Sequence, residues 1–189
     1  MSSEVQDIDQ TNIIRKIQDG DRAAQRLLYT LHVRYLAAIC SRYLNNDEDV
    51  RDVLQDSFIK IFSAIKDFSP KGDGALKAWM ARIVINESLK FLQKKSRLLF
   101  ASISGHEELL ETYEEPTTEG IPPNVIHSTI RSLPDGYRTV FNLYVIEQRP
   151  HKEIASLLGI KESTSASQLH KAKAMLAKIL KQYKNSNRT

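Results

Sequence analysis

Apolar residues along this chain recur at helical spacing, and no segment alternates apolar and polar residues for long. A short helical pattern at Ile13, Ile14 and Ile17 stops at Gly20-Asp21, where Asp21 is placed to cap the next helix. Leu27, Leu28, Leu31, Tyr35, Leu36, Ile39 and Tyr43 then mark a long helix from Arg22 to Leu44. Asn45-Asn46-Asp47 breaks that run and caps a second, whose buried stripe is Val50, Val53, Leu54, Phe58, Ile61, Phe62 and Ile65. Pro70, Gly72 and Gly74 make Phe68–Gly74 a loop, and a third helix over Ala75–Lys95 offers Leu76, Trp79, Met80, Ile83, Ile85, Leu89 and Leu92 for packing.

The pattern then lapses. Ala101–Gly120 holds six Glu and no Lys or Arg, and Pro116, Pro122 and Pro123 interrupt its end. That composition is too polar and too broken for a core. Beyond it, Val125, Ile126, Ile130 and Leu133 predict one helix, ended by Pro134-Asp135-Gly136, and Tyr137–Glu147 another. Two more follow, His151–Leu158 and about Ser163–Tyr183. The expected fold is therefore all-α: a helical domain over residues 1–97, a flexible acidic linker over 98–122 and a helical domain over 123–189.

Composition narrows the function. Hydrophobic residues at 41% and charged residues at 26% suit a soluble globular protein. A net charge of +4 gives only a hint of an anionic partner. Cys40 is the sole cysteine, so no disulfide framework or cysteine metal site is available, and its apolar surroundings suggest a buried structural thiol. The five histidines are scattered without ligand spacing, and no metal or cofactor is expected. The chain shows no clustered carboxylates, P-loop or nucleophile constellation, which argues against an enzyme and leaves no catalytic residue to name. The N-terminus lacks a basic region followed by an apolar run, and no stretch approaches membrane-span length; a cytoplasmic location is expected.

HKEIASLLGIKESTSASQLHKAKAMLAKIL has the proportions of a helix-turn-helix. Small Ala155 allows close crossing, and Gly159 can take the left-handed conformation that ends the first helix. Leu169, Ala172 and Leu176 form the buried stripe of the second, with Thr164, Ser167, Gln168, His170 and Lys171 expected outward. Serine and glutamine can hydrogen-bond base edges, and lysine neutralises phosphate. His151–Thr189 carries eight Lys or Arg against two Glu, which fits DNA and equally a solvated lysine-rich face.

Three segments together carry a resemblance. LPDGYRTVFNLYVIEQRPHKEIASLLGIKESTSASQLHKAKAML is similar to the C-terminal domain of extracytoplasmic-function (ECF) sigma factors, the promoter-specificity subunits of bacterial RNA polymerase. DEDVRDVLQDSFIKIF resembles the second conserved helix of that family and KAWMARIVINESLKFLQKK its third. The resemblance implies a chain that binds core RNA polymerase and directs it to promoter DNA, the first domain reading and melting the downstream (−10) element and the second reading the upstream (−35) element.

By the same resemblance, Asp49, Asp52, Gln55 and Asp56 dock on the clamp helices of the polymerase's largest subunit. Helix-dipole stabilisation accounts for acids in the first turn but not for Asp52 and Asp56, which lie deeper in the helix. Arg82, Asn86 and Lys90 are implied at the −10 element, where an asparagine can satisfy both donor and acceptor on an unpaired base. The Phe68–Gly74 loop matches the family loop that captures a flipped base. At helical spacing with Ile83, Trp79 reads as core rather than as a stacking platform. Two departures stand out: Ala166 and Gln168 occupy positions where the family places basic residues, and Ser165 replaces a valine on a core face. An anti-sigma factor is a further partner the resemblance implies. The alternative is a stand-alone helix-turn-helix regulator, which as a dimer would prefer a palindromic site.

Overall fold

The computed structural model describes residues 11–95 and 118–187, and its chain divides into two compact units. The first comprises Met1–Ser41 and Asn46–Ser88; the second comprises Arg42–Asn45 and Leu89–Thr189. All regular elements among the described residues are helical. Most of the linker expected at 98–122 lies outside the described residues, but Ile121 near its end is buried and so belongs to the folded second unit.

In the first unit, residues 11–18 form α1, burying Ile13, Ile14 and Ile17. Gly20 turns the chain at φ +89°, and the Asp21 carboxylate accepts hydrogen bonds from the amides of Ala23 (2.7 Å) and Ala24 (3.2 Å) to start α2, Arg22–Cys40. Asn46 likewise accepts from the Glu48 amide to start α3, Asp47–Ala64, which a 3₁₀ turn at Ile65–Asp67 extends. α2 packs on α3. The stripe expected on α3 is buried, except that Phe62 is half-buried.

On α2 the outcome differs. Leu28, Leu36 and Ile39 are buried with Ala24, His32 and Cys40, whereas Leu27 and Leu31 are 45% and 55% exposed. Leucines next to one another in sequence cannot all face one side of a helix, because successive residues are about 100° apart. α4, Ala75–Lys95, buries Leu76, Met80, Val84 and Ile85 within this unit, and Trp79 lies half-buried against the Phe68 ring, centroids 4.6 Å apart. Cys40 is fully buried, its Sγ 3.5 Å from Ser88 Oγ, and burial pushes its thiol pKa up; it is a packing residue.

The second unit is built from α5 (Pro123–Arg131), α6 (Asp135–Phe141), α7 (His151–Leu158) and α8 (Glu162–Ser186). Its apolar centre joins Leu133, Ala172 and Leu176 to Ile130, Tyr137, Phe141 and Met175. The continuous helix expected over Tyr137–Glu147 is instead interrupted: after Phe141 the backbone widens into a π turn, Asn142–Ile146, closed by the Glu147 amide donating to Asn142 O. One residue too many in a turn shifts the helical phase, so Leu143 stays buried while Tyr144, Val145 and Ile146 emerge at 39–43% exposure. Gln148 then takes a positive φ of 54°, unusual outside glycine, to lead into α7.

A fully buried arginine organises this unit. The Arg138 guanidinium donates to the carbonyls of Tyr43 (2.8 and 3.3 Å), Leu133 (2.7 Å) and Arg131 (3.1 Å) and pairs with the Asp135 carboxylate. Nε, Nη1 and Nη2 all take part, which is what makes burying the charge tolerable. Burial still lowers its affinity for the proton, partly offset by Asp135.

Candidate polymerase and DNA interfaces

Three helices present the residues singled out from sequence, and each face follows from what the opposite face buries. On α3, Val50, Val53, Leu54, Phe58 and Ile61 point inward, so Asp52, Gln55 and Asp56 are exposed and Asp49 is half-buried. Spacings of three and four place Asp49, Asp52 and Asp56 on one stripe. Asp47, Glu48 and Asp49 also lie in the first turn, where the helix dipole favours them. The stripe ends in Ile59, which is 61% exposed. This apolar residue was missed from sequence, although its place outside the buried stripe was readable.

On α4, Arg82, Asn86 and Lys90 are exposed and separated by four residues each, forming one line along the helix, with Lys94 next on it. Glu87, the one acid among them, is mostly buried and pairs with Lys60 of α3. Its charge is thereby compensated within the first unit, and the exposed line is left basic. Arg97, also basic in sequence, lies outside the described residues. Before α4, the loop backbone takes positive φ at Gly72 (+99°) and Gly74 (+73°), conformations that L side chains rarely adopt. The base of that loop is held by Gln18, whose Nε2 donates towards the carbonyls of Ile65 (3.0 Å), Lys66 (3.3 Å) and Phe68 (3.2 Å). No sequence signal marked Gln18, because the contact spans about fifty residues.

The helix-turn-helix forms as expected. Gly159 adopts φ +68°, and the Ile160 amide donates to Ala155 O, closing α7 with a left-handed cap. α7 packs against α8, burying Ile154 and Leu158 of the first helix and Leu169, Ala172, Leu176 and Leu180 of the second. Thr164, Ser167, His170 and Lys171 are half-exposed, and Ser163 and Ala166 are exposed. Gln168 requires a correction. Expected on the outer face, it is 1% exposed, and neither amide atom has a hydrogen-bond partner. Gln168 falls three residues after Ser165 and four before Ala172, both wholly buried, so the helical period carries it inward.

Ser165 lies on the core face, as expected, and is wholly buried. Its hydroxyl shares a 2.9 Å hydrogen bond with His151 Nδ1, and the His151 ring stacks on Tyr144, centroids 4.5 Å apart and planes 23° apart. The polar replacement on the core face is therefore partnered. Among the described residues no group of three or more His, Cys, Asp or Glu is arranged to hold a metal ion, and no helix is long and apolar enough to cross a membrane.

Comparison with known proteins matches both ends of this arrangement. The sigma-70 region 2 family covers residues 28–98 and the sigma-70 region 4 family residues 124–176. The ECF RNA polymerase sigma-E factor of Haemophilus influenzae is 25% identical over 175 residues, spanning 87% of this chain and 91% of that protein. The ECF RNA polymerase sigma factor SigW of Bacillus subtilis is 27% identical over 180 residues, spanning 89% and 95%. Among solved structures, the sigma factor RpoE in complex with the anti-sigma factor NepR from Bartonella quintana is similar at 20% identity and a TM-score of 0.47, covering 82% of this chain and 96% of that one. Two sigma regions in order, one holding the acidic and basic faces of α3 and α4 and the other the helix-turn-helix, with relatives matched over nearly their whole length, place this chain in the ECF family of RNA polymerase sigma factors.

Proposed function

We propose that the chain directs promoter-specific initiation by docking on the clamp helices of core RNA polymerase through Asp49, Asp52, Gln55 and Asp56, with Ile59 as an apolar anchor beside them. The line Arg82, Asn86 and Lys90 meets the −10 element, and Thr164, Ser167, His170 and Lys171 meet the −35 element. The observation that carries this reading is a pair of charged lines: Asp49, Asp52 and Asp56 share one stripe of α3, whereas the exposed line of α4 at Arg82, Asn86, Lys90 and Lys94 holds no acid. Acids on the DNA face would repel phosphate, and a basic polymerase-facing surface would compete for DNA. Acting as a subunit of polymerase, the chain works in the cytoplasm and supplies no catalytic group of its own. An anti-sigma factor, the kind of partner seen with RpoE of Bartonella quintana, is its expected regulator.

The test is in vitro transcription on fragmented DNA of the encoding organism with core polymerase. The reading requires new, promoter-dependent start sites that share −10 and −35 elements; without them the stand-alone regulator takes its place. Asp52→Ala with Asp56→Ala then weakens core binding while both units stay folded, and unchanged affinity removes the docking assignment. Lys171→Ala lowers upstream-element binding and reduces its salt slope by about one, the share of a single phosphate contact.

A further inference from the structure

We infer that His151 is a positioning residue for upstream-element recognition, acting through Ser165 to set how the recognition helix α8 leaves the helix-turn-helix. The inference rests on the proposed reading of α8 at the −35 element and adds to it a residue that touches no DNA.

Ser165 lies in the first turns of α8 and is completely buried, between Thr164 and Ser167, which are offered to DNA. A serine side chain brings into the core a hydroxyl that must find a partner when buried. Here the partner is His151 Nδ1, 2.9 Å away, from the first residue of α7. The imidazole is itself held, face to face with Tyr144 in the π turn. Tyr144, His151 and Ser165 thus form one chain of contacts from the π turn, through the start of α7, to the start of α8. A hydrogen bond is directional, with a narrow range of distance and angle, whereas an apolar contact tolerates sliding. Through this bond the pose of Ser163–Lys171 depends on one imidazole nitrogen. The hydroxyl can donate or accept, so the bond forms with either tautomer of the ring.

Asparagine and glutamine separate this role from bulk packing. The Asn side-chain amide reaches the place of Nδ1, and that of Gln reaches the place of Nε2. In run-off transcription with the full chain and core polymerase on fragmented DNA of the encoding organism, His151→Ala and Ser165→Ala each lower initiation at promoters with a recognisable −35 element by about fivefold, the equivalent of one net hydrogen bond. The double variant loses no more than either single one, because both remove the same bond. His151→Asn restores initiation and His151→Gln does not. Preference at the −10 element stays as in the unaltered chain. Wild-type initiation by His151→Ala, additive losses in the double variant, or equal behaviour of the Asn and Gln variants would each overturn the inference. Failure of the unaltered chain to initiate anywhere would remove the proposed function instead. The pair is then judged without DNA, by amide hydrogen exchange over residues 165–170 in the full chain: faster exchange in both single variants, not compounded in the double, sustains it, and unchanged exchange in His151→Ala rejects it.

Discussion

The interiors of the two units are made of different materials. Among the described residues, the first is almost wholly apolar, and its buried polar side chains are His32, Ser57 and Ser88. Both serine hydroxyls donate to the backbone four residues earlier on their own helices, Ser57 to Val53 O (2.6 Å) and Ser88 to Val84 O (2.8 Å). Ser57 adds nothing to the choice of neighbours, and Ser88 adds only its thiol contact with Cys40 of α2. The second unit buries Thr129, Arg138, Thr139, Asn142, Ser165 and Gln168. Arg138, Asn142 and Ser165 make bonds to other elements: Asn142 Nδ2 donates to Arg42 O (2.7 Å), and Arg138 and Ser165 are held as described. The polar links between elements of the first unit, Gln18 to the 65–68 carbonyls and Lys60 to Glu87, lie at its margin, whereas those of the second run through its centre. Mutations should therefore fail differently in the two.

The largest expected loss comes from Arg138→Met. It keeps the length of the side chain but strands the carbonyls of Tyr43, Arg131 and Leu133 and the Asp135 carboxylate. Removing one partner from such a buried network costs about 3–5 kcal/mol. Urea unfolding followed by hydrogen exchange should show the loss confined to the second unit, Arg42–Asn45 included. A loss below about 1 kcal/mol would mean that the guanidinium contributes no more than an exposed ion pair.

The counterpart in the first unit is Ile61→Ala, at a fully buried position on α3. Here no polar partner is stranded, and the cost is lost burial plus a cavity, about 2–5 kcal/mol. Because the core tolerates substitutions that conserve volume, Ile61→Leu should recover most of it, to within about 1.5 kcal/mol. No comparable substitution exists for Arg138, since lysine offers a point charge and no planar fork. Thermal melts of the three variants sharpen the contrast, and failure of Ile61→Leu to rescue would show that the first core is as shape-specific as the second.

These differences also explain what could be read in advance. The three long helices, the caps at Asp21 and Asn46, the buried stripe of α3 and the left-handed turn at Gly159 are local, carried by side-chain type and period. The exposed lines on α3 and α4 followed from the same periodicity. What escaped prediction depends on distant partners. Gln18 at the base of the loop and the two Arg138 bonds to Tyr43 O are fixed by residues far away in sequence, and His151 meets Ser165 only once the helix-turn-helix has folded. The π turn hides for another reason: its extra residue leaves composition unchanged while shifting the phase, so Tyr144 and Ile146 were assigned to a regular helix they do not continue. Gln168 was placed by its chemistry, polar and so outward, where its position on the helix carries it inward.

Gln168 gives a smaller effect of opposite sign. Its amide is buried with neither atom partnered. Replacing it by Met, which has similar length and no polar atoms, should stabilise the second unit by about 1–2 kcal/mol, the cost of leaving such a group unsatisfied. Promoter preference should not change, because the side chain is buried. A shift in the −35 sequence selected by Gln168→Met would instead return this residue to the DNA interface.

The subtlest expected effect lies in the first unit and concerns pH. His32 is buried in α2, and its pKa lies below the usual imidazole value of 6.5, chiefly because burial disfavours the charged ring and secondarily because Lys77 is nearby. In the unfolded chain the ring regains its ordinary pKa and binds protons more readily than in the fold. Stability therefore rises with pH wherever the two states differ in protonation. The contribution is fully present above 6.5 and is lost as pH falls from there through the lowered folded value. The first unit should weaken on mild acidification, while the Arg138 guanidinium stays charged throughout. His32→Gln keeps a polar side chain of similar reach but cannot titrate. It should flatten the acid limb of the first unit's stability below pH 6.5, whatever it does to stability at neutral pH. An unaltered slope in that variant would assign the acid sensitivity to other groups and erase this difference between the two interiors.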